Sequence, residues 1–150
     1  MKKYVTLVAL LALFGLISCG GAKKVRFSEL EKICGDVNSK SKDPGYAEGP
    51  DLALEGYLVL TTGQGVNDKG SIEISEERNT NSPTVSILIN KGAGPNQLEE
   101  IKNGDKVSFR LHTDGDEIAA EGDKVSVMVS SYGIPALREC AYQMMKIRKA

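Results

Sequence analysis

Only one histidine, His112, is present in the 150 residues, so any imidazole base or ligand has to be this side chain. A Ser-His-Asp relay needs a base held by an orienting partner, and a histidine-rich metal set needs several rings converging. His112 follows Leu111 at the end of an alternating run with no nucleophile motif around it, so an exposed or capping role is expected. Asp114-Gly115-Asp116-Glu117 places three carboxylates in one short stretch, the oxygen donors that calcium takes. The stretch lacks the ligand spacing and distal glutamate of an EF-hand loop, and reads as a solvated hairpin turn. Gly63-Gln64-Gly65 and Gly92-Ala93-Gly94 lack the Gly-Lys-Ser/Thr ending of a phosphate-cradling loop and read as turns. No catalytic residue, metal ligand or cofactor is therefore expected.

The three cysteines carry more. Lys2 and Lys3 precede an apolar run from Tyr4 to Ile17, followed by small residues around Cys19, the order of a secretory signal. That run is 14 residues long, short of the roughly 20 that span the hydrocarbon core as a helix. Leu16-Ile17-Ser18-Cys19 resembles the lipobox of bacterial lipoproteins. The resemblance implies removal of residues 1 to 18, acyl chains on Cys19, and a lipidated tether from 19 to 25. At about 0.8 kcal/mol per buried methylene, two or more chains anchor stably where one is marginal. Gly20, rather than an aspartate, follows the cysteine, so the resemblance implies the bacterial cell envelope, with the outer membrane as the expected destination. With Cys19 spent on lipid, Cys34 and Cys140 remain as an even pair in an oxidising compartment, and a disulfide is expected.

Residues 19 to 150 are enough for one domain with a modest core, expected over 26 to 150. Loss of Lys2 and Lys3 leaves 17 basic against 20 acidic side chains, a net charge of −3. Such a surface repels phosphate backbones. Five Tyr, three Phe and no Trp offer few stacking platforms, so nucleic acid is not expected as a partner.

Ser28-Glu29-Leu30-Glu31 reads as a capping box opening a short helix that carries Phe27, Leu30, Ile33 and Cys34 to the core. The stretch from Gly35 to Pro50, with its glycines, prolines and alternating charges, reads as a loop. From Asp51 the period becomes two: Leu52, Leu54, Leu58 and Leu60 share a face, with Gly56 at the position where a bend or close approach is expected. Ile72 and Ile74 mark a second strand, and Val85, Ile87 and Ile89 a third. Asn96 and Glu99 predict a short helix with Leu98 and Ile101 on its apolar side. Gly104-Asp105-Lys106-Val107-Ser108 then recurs as Gly122-Asp123-Lys124-Val125-Ser126, each copy a turn leading into alternation. Residues 141 to 147 read as a last strand.

Three strands, a short helix and further strands resemble the order of the OB-fold, a five-stranded Greek-key barrel. Leu98 to Arg110 looks like its passage from helix to fourth strand, which makes Val125–Val129 an extra strand. The expected class is mainly β, a small antiparallel OB-fold-like barrel with one or two short helices, with a β-sandwich as the alternative. The resemblance implies that the loop from Thr61 to Gly70 lies at the barrel mouth, with Thr61, Thr62, Gln64, Asn67 and Asp68 as ligand contacts. The function expected is a non-catalytic, membrane-anchored binding module for an envelope protein, peptide or glycan. A surface-exposed structural or adhesive lipoprotein and an envelope hydrolase are the competing readings.

Overall fold

In the computed structural model, described over residues 21–59, 66–67, 71–78, 81–89 and 98–150, the period of two in the Leu52 region becomes the longest strand, β2 (Ala47–Val59). Leu52, Leu54, Gly56 and Leu58 all point into the core, as alternation requires of a strand buried on one face. The other elements are β1 (Lys23–Lys24), α1 (Phe27–Lys40), β3 (Val66–Asn67), β4 (Ser71–Ser75), β5 (Thr84–Leu88), β6 (Leu98–Asn103), β7 (Lys106–His112), β8 (Ile118–Ala120), β9 (Lys124–Ile134) and β10 (Glu139–Lys149).

The barrel closes because β2 is long enough to serve two neighbours on one edge. Its first half takes β1 in parallel, Lys23 opposite Leu52, and its last residues take β4, with Leu58 opposite Ile74. The other edge pairs β9 along its length, and the circuit runs β2-β9-β10-β5-β4 and back to β2. β5 and β10 run parallel while every other junction of the circuit is antiparallel. This is the Greek-key, OB-fold-like barrel expected from the sequence, not a sandwich. Leu52, Leu54, Ile72, Ile74, Ile87, Val125, Val127, Val129 and Ile147 fill it and are fully buried. A register shift between Met144 and Lys146 explains how Met144 and Ile147, three apart, both face inward on β10.

Several expectations are corrected. The helix expected around Leu98 and Ile101 is instead β6, which forms a hairpin with β7. Leu98 and Ile101, three apart, share a face only in a helix, but cross-strand pairing over a tight Gly104-Asp105 turn, with Gly104 at φ 63°, decides for the strand. The expected fourth barrel strand, Val107 to Leu111, belongs to a separate three-stranded sheet, β6-β7-β8. Val125–Val129, read as the extra strand, is the true fourth barrel strand, within β9. The near-repeat therefore marks two similar turns, the second at Gly122 with φ 80°, leading into strands of different sheets.

The loop expected from Gly35 to Pro50 is mostly regular: α1 continues to Lys40 and β2 begins at Ala47. α1 also starts earlier than the capping box implied. The Glu29 carboxylate accepts from the Arg26 backbone N–H at 2.8 Å, so Glu29, not Glu31, closes the first turn. Lys23–Val25, inside the stretch expected as tether, is already part of the body, with Val25 buried and its N–H donated to the Ala53 carbonyl.

Candidate functional site

The disulfide expected from cysteine counting is present, joining Cys34 on α1 to Cys140 at the start of β10, Cα to Cα 5.8 Å. Asn38, one turn beyond Cys34, donates from Nδ2 to the Glu139 carbonyl at 3.2 Å and lies 3.5 Å from Cys34 Sγ. Together they clamp the helix across the opening strands of the barrel's last hairpin.

That clamp sits beside a defect in the barrel wall. Among the described residues, β5 and β10 share one register pair, Gln143 opposite Leu88, whereas β4 and β5 share five. Glu76 donates to the Pro83 carbonyl, and alternation along an antiparallel ladder then turns the backbone groups of Val85 and Ile87 toward β4. Those of Thr84 and Ser86 face the other way, toward the seam. Below Gln143 the two strands diverge, and the gap is a groove of about 340 Å³ lined by Phe27, Leu30, Thr84, Val85, Cys140 and Tyr142, among others. It continues along the disulfide into a second hollow of about 480 Å³ bounded by Glu31, Arg138 and Glu139.

Chemically the groove has an apolar floor (Phe27, Leu30, Val85), a polar rim and an open strand edge. Burial pushes the Tyr142 hydroxyl above the usual tyrosine range, so it remains a neutral hydrogen-bonding group. An exposed edge over alternate side-chain pockets is the arrangement that accepts an added extended segment, main-chain bonds giving affinity and the pockets specificity.

Apart from Cys34 and Cys140, the described residues singled out from the sequence as site candidates do not line this groove. Cys19, Leu60, Thr61, Thr62, Gln64 and Asp68 lie outside the described residues, as does the Gly92-Ala93-Gly94 turn. Asn67 stands on β3, paired with Ser71. His112, at the end of β7, pairs its Nε2 with Glu99 Oε2 at 3.0 Å, both side chains close to half exposed. The carboxylate loop is a hairpin turn whose Asp114 has a structural use: its N–H donates to the Ile147 carbonyl, and its Oδ2 accepts from the Ile147 N–H at 2.6 Å. It thus occupies the edge of β10 beyond the reach of β5. Among the described residues, no group of three His, Cys, Asp or Glu side chains is gathered closely enough to hold a metal.

Sequence reasoning missed the seam groove, because β5 and β10 are distant in the chain and no local pattern reports where two parallel strands part. The available signal was Cys140 two residues before Tyr142, which puts the bridge and an aromatic ring on one face of the last strand.

No known protein family matches the chain, and no curated protein or solved structure is detectably similar to it.

Proposed function

We propose that the protein is a lipid-anchored binding module of the bacterial envelope, held by acyl chains on Cys19, which engages an extended segment of an envelope protein along the β5–β10 seam without catalysing a reaction. The observation that carries the binding reading is the divergence of β5 from β10 beside the disulfide, which leaves the backbone of Thr84 and Ser86 facing an apolar groove. The anchor rests on Leu16-Ile17-Ser18-Cys19 and the charged and apolar segments before it. The outer membrane is the destination favoured by Gly20 after the cysteine.

The anchor is tested by labelled palmitate and mass spectrometry of the membrane fraction. Label is expected on the wild type and lost in Cys19→Ser; a native protein that retains residues 1 to 18 and carries no fatty acid overturns it. The groove is tested by a photo-crosslinking residue at Thr84 in intact cells, with and without Ser86→Pro. Proline at 86 removes an N–H that faces the seam rather than β4, so the sheet stays intact while strand addition is blocked. Capture through Thr84 that vanishes in a folded Ser86→Pro protein supports the reading. Capture unchanged by that substitution, or no capture, overturns it.

A further inference from the structure

We propose that the barrel pole carrying Tyr46, Tyr132 and Leu137 rests against the lipid bilayer, fixing the orientation of the domain on the membrane; this rests on the lipid-anchor reading above.

The direction in which the chain joins the sheet comes first. β1 runs parallel to β2 with Lys23 opposite Leu52, so the chain before Lys23 arrives from the side of Ala47, the start of β2. Cys19 precedes Lys23 by four residues, and four residues span at most about 14 Å even fully extended. Along β2 the far end at Val59 lies seven residues beyond Leu52, about 23 Å at strand rise. An acyl anchor at Cys19 therefore cannot place the bilayer at the Val59 end. The Ala47 end, about 17 Å in the other direction along the strand, lies only about 3 Å beyond that reach, a gap that the Cys19 side chain and its acyl linkage span, and it is the end toward which the chain is already heading.

The pole at that end has the surface for such a contact. Tyr46 and Tyr132 stack with centroids 6.0 Å apart. The Ala136 N–H donates to the Pro44 carbonyl at 2.9 Å, holding the β9–β10 turn against the segment that leads into β2. Leu137 projects from that turn with 62% of its surface exposed, and Tyr46 is 53% exposed. Among the described residues, the two remaining large exposed apolar side chains, Ile118 and Met145, are on β8 and at the β10 bulge, and β10 lies three strands from β1. Tyrosine suits the headgroup level, with an apolar ring and a polar tip, and leucine can enter the acyl boundary.

Charge is not the attraction. Lys40, Lys42 and Arg138 at this pole are exposed, but so are Asp43, Glu48 and Glu139. The pole is close to balanced, so contact should not depend on anionic lipid.

The absence of tryptophan from the chain supplies the experiment. Single variants Tyr46→Trp, Leu137→Trp, Met145→Trp and Ala150→Trp are made in the full-length lipidated protein and reconstituted into phosphatidylcholine vesicles, with or without bromine on the acyl chains near the headgroup. Vesicle flotation and fatty-acid analysis come first; a protein that carries no lipid and does not float overturns the anchor reading, and this inference with it. For protein that floats, Trp at 46 and 137 should lose most of its emission to brominated lipid, and Trp at 145 and 150 should lose none. Adding anionic lipid should leave the pattern unchanged, and Leu137→Glu should relieve the quenching at 46. Equal quenching at all four positions, or none at 46 and 137, overturns the orientation while leaving the anchor intact. A blue shift at 46 that grows with protein concentration without vesicles assigns the pole to a second copy of the chain and also overturns it.

Discussion

Gly56 shows how a single residue links sequence to packing. It occupies an inward position in an otherwise leucine-rich alternation, and a Cβ built there would lie 2.7 Å from the Ser75 carbonyl oxygen and 3.2 Å from Phe27 Cζ. The missing side chain lets α1 and β4 approach β2. Gly56→Ala is expected to destabilise by about 1–3 kcal/mol, the usual range for overpacking a core, read as a lower urea midpoint with an unchanged slope. The surface acids add a pH dependence. Asp123 is held below the usual aspartate range, first by the Ala120 N–H donated to its carboxylate and then by Lys149; Glu55 is held down by Lys24. A carboxyl depressed in the folded state contributes stability that is present above its unfolded pKa and lost as pH falls through the folded value. Stability should therefore be level through neutral pH and decline below about pH 4, and Asp123→Asn should flatten that decline in thermal melts taken across the acid range.

Among the elements, α1 depends most on distant residues. Gly35 interrupts its helical propensity, which is why the sequence reads as a loop from there on, yet the helix continues to Lys40. Cys34 is bonded to Cys140 and Asn38 to the Glu139 carbonyl, so tertiary contacts override a local penalty of about 1 kcal/mol. The bridge spans 106 residues, and restricting an unfolded chain over such a loop is worth about 4.7 kcal/mol in the chain-entropy account. Replacing both cysteines by serine should lower stability by an amount approaching that figure, with α1 amides the first to lose hydrogen-exchange protection. Equal unfolding midpoints for the variant and the wild type would refute it. β7 teaches the complementary lesson. Its alternation of Val107, Phe109 and Leu111 is as clear as that of β9, but periodicity states that a segment is a strand and not which sheet it joins.

At the scale of the molecule, the small β6-β7-β8 sheet is integral to the barrel. Leu111 and Ala119 from it are fully buried in the common core, and Asp114 binds both backbone groups of Ile147 on β10. Leu111→Ala should accordingly cost about 2–5 kcal/mol and lower one cooperative transition for barrel and small sheet together; two separate transitions would show that the sheet folds on its own. Local pattern and counting suffice for the β class, the inward residues of β2, β4 and β9, the pairing of Cys34 with Cys140, and a tight approach at Gly56. Burial forces alternation, and an even cysteine pair leaves one partner each, so these features are written residue by residue. That Val125–Val129 is the fourth barrel strand, that Leu98–Asn103 is extended, and that β5 and β10 part to open a groove are settled by long-range pairing. Those outcomes turn on which distant edges meet, and the free energy that chooses among them comes from side chains the local sequence does not contain.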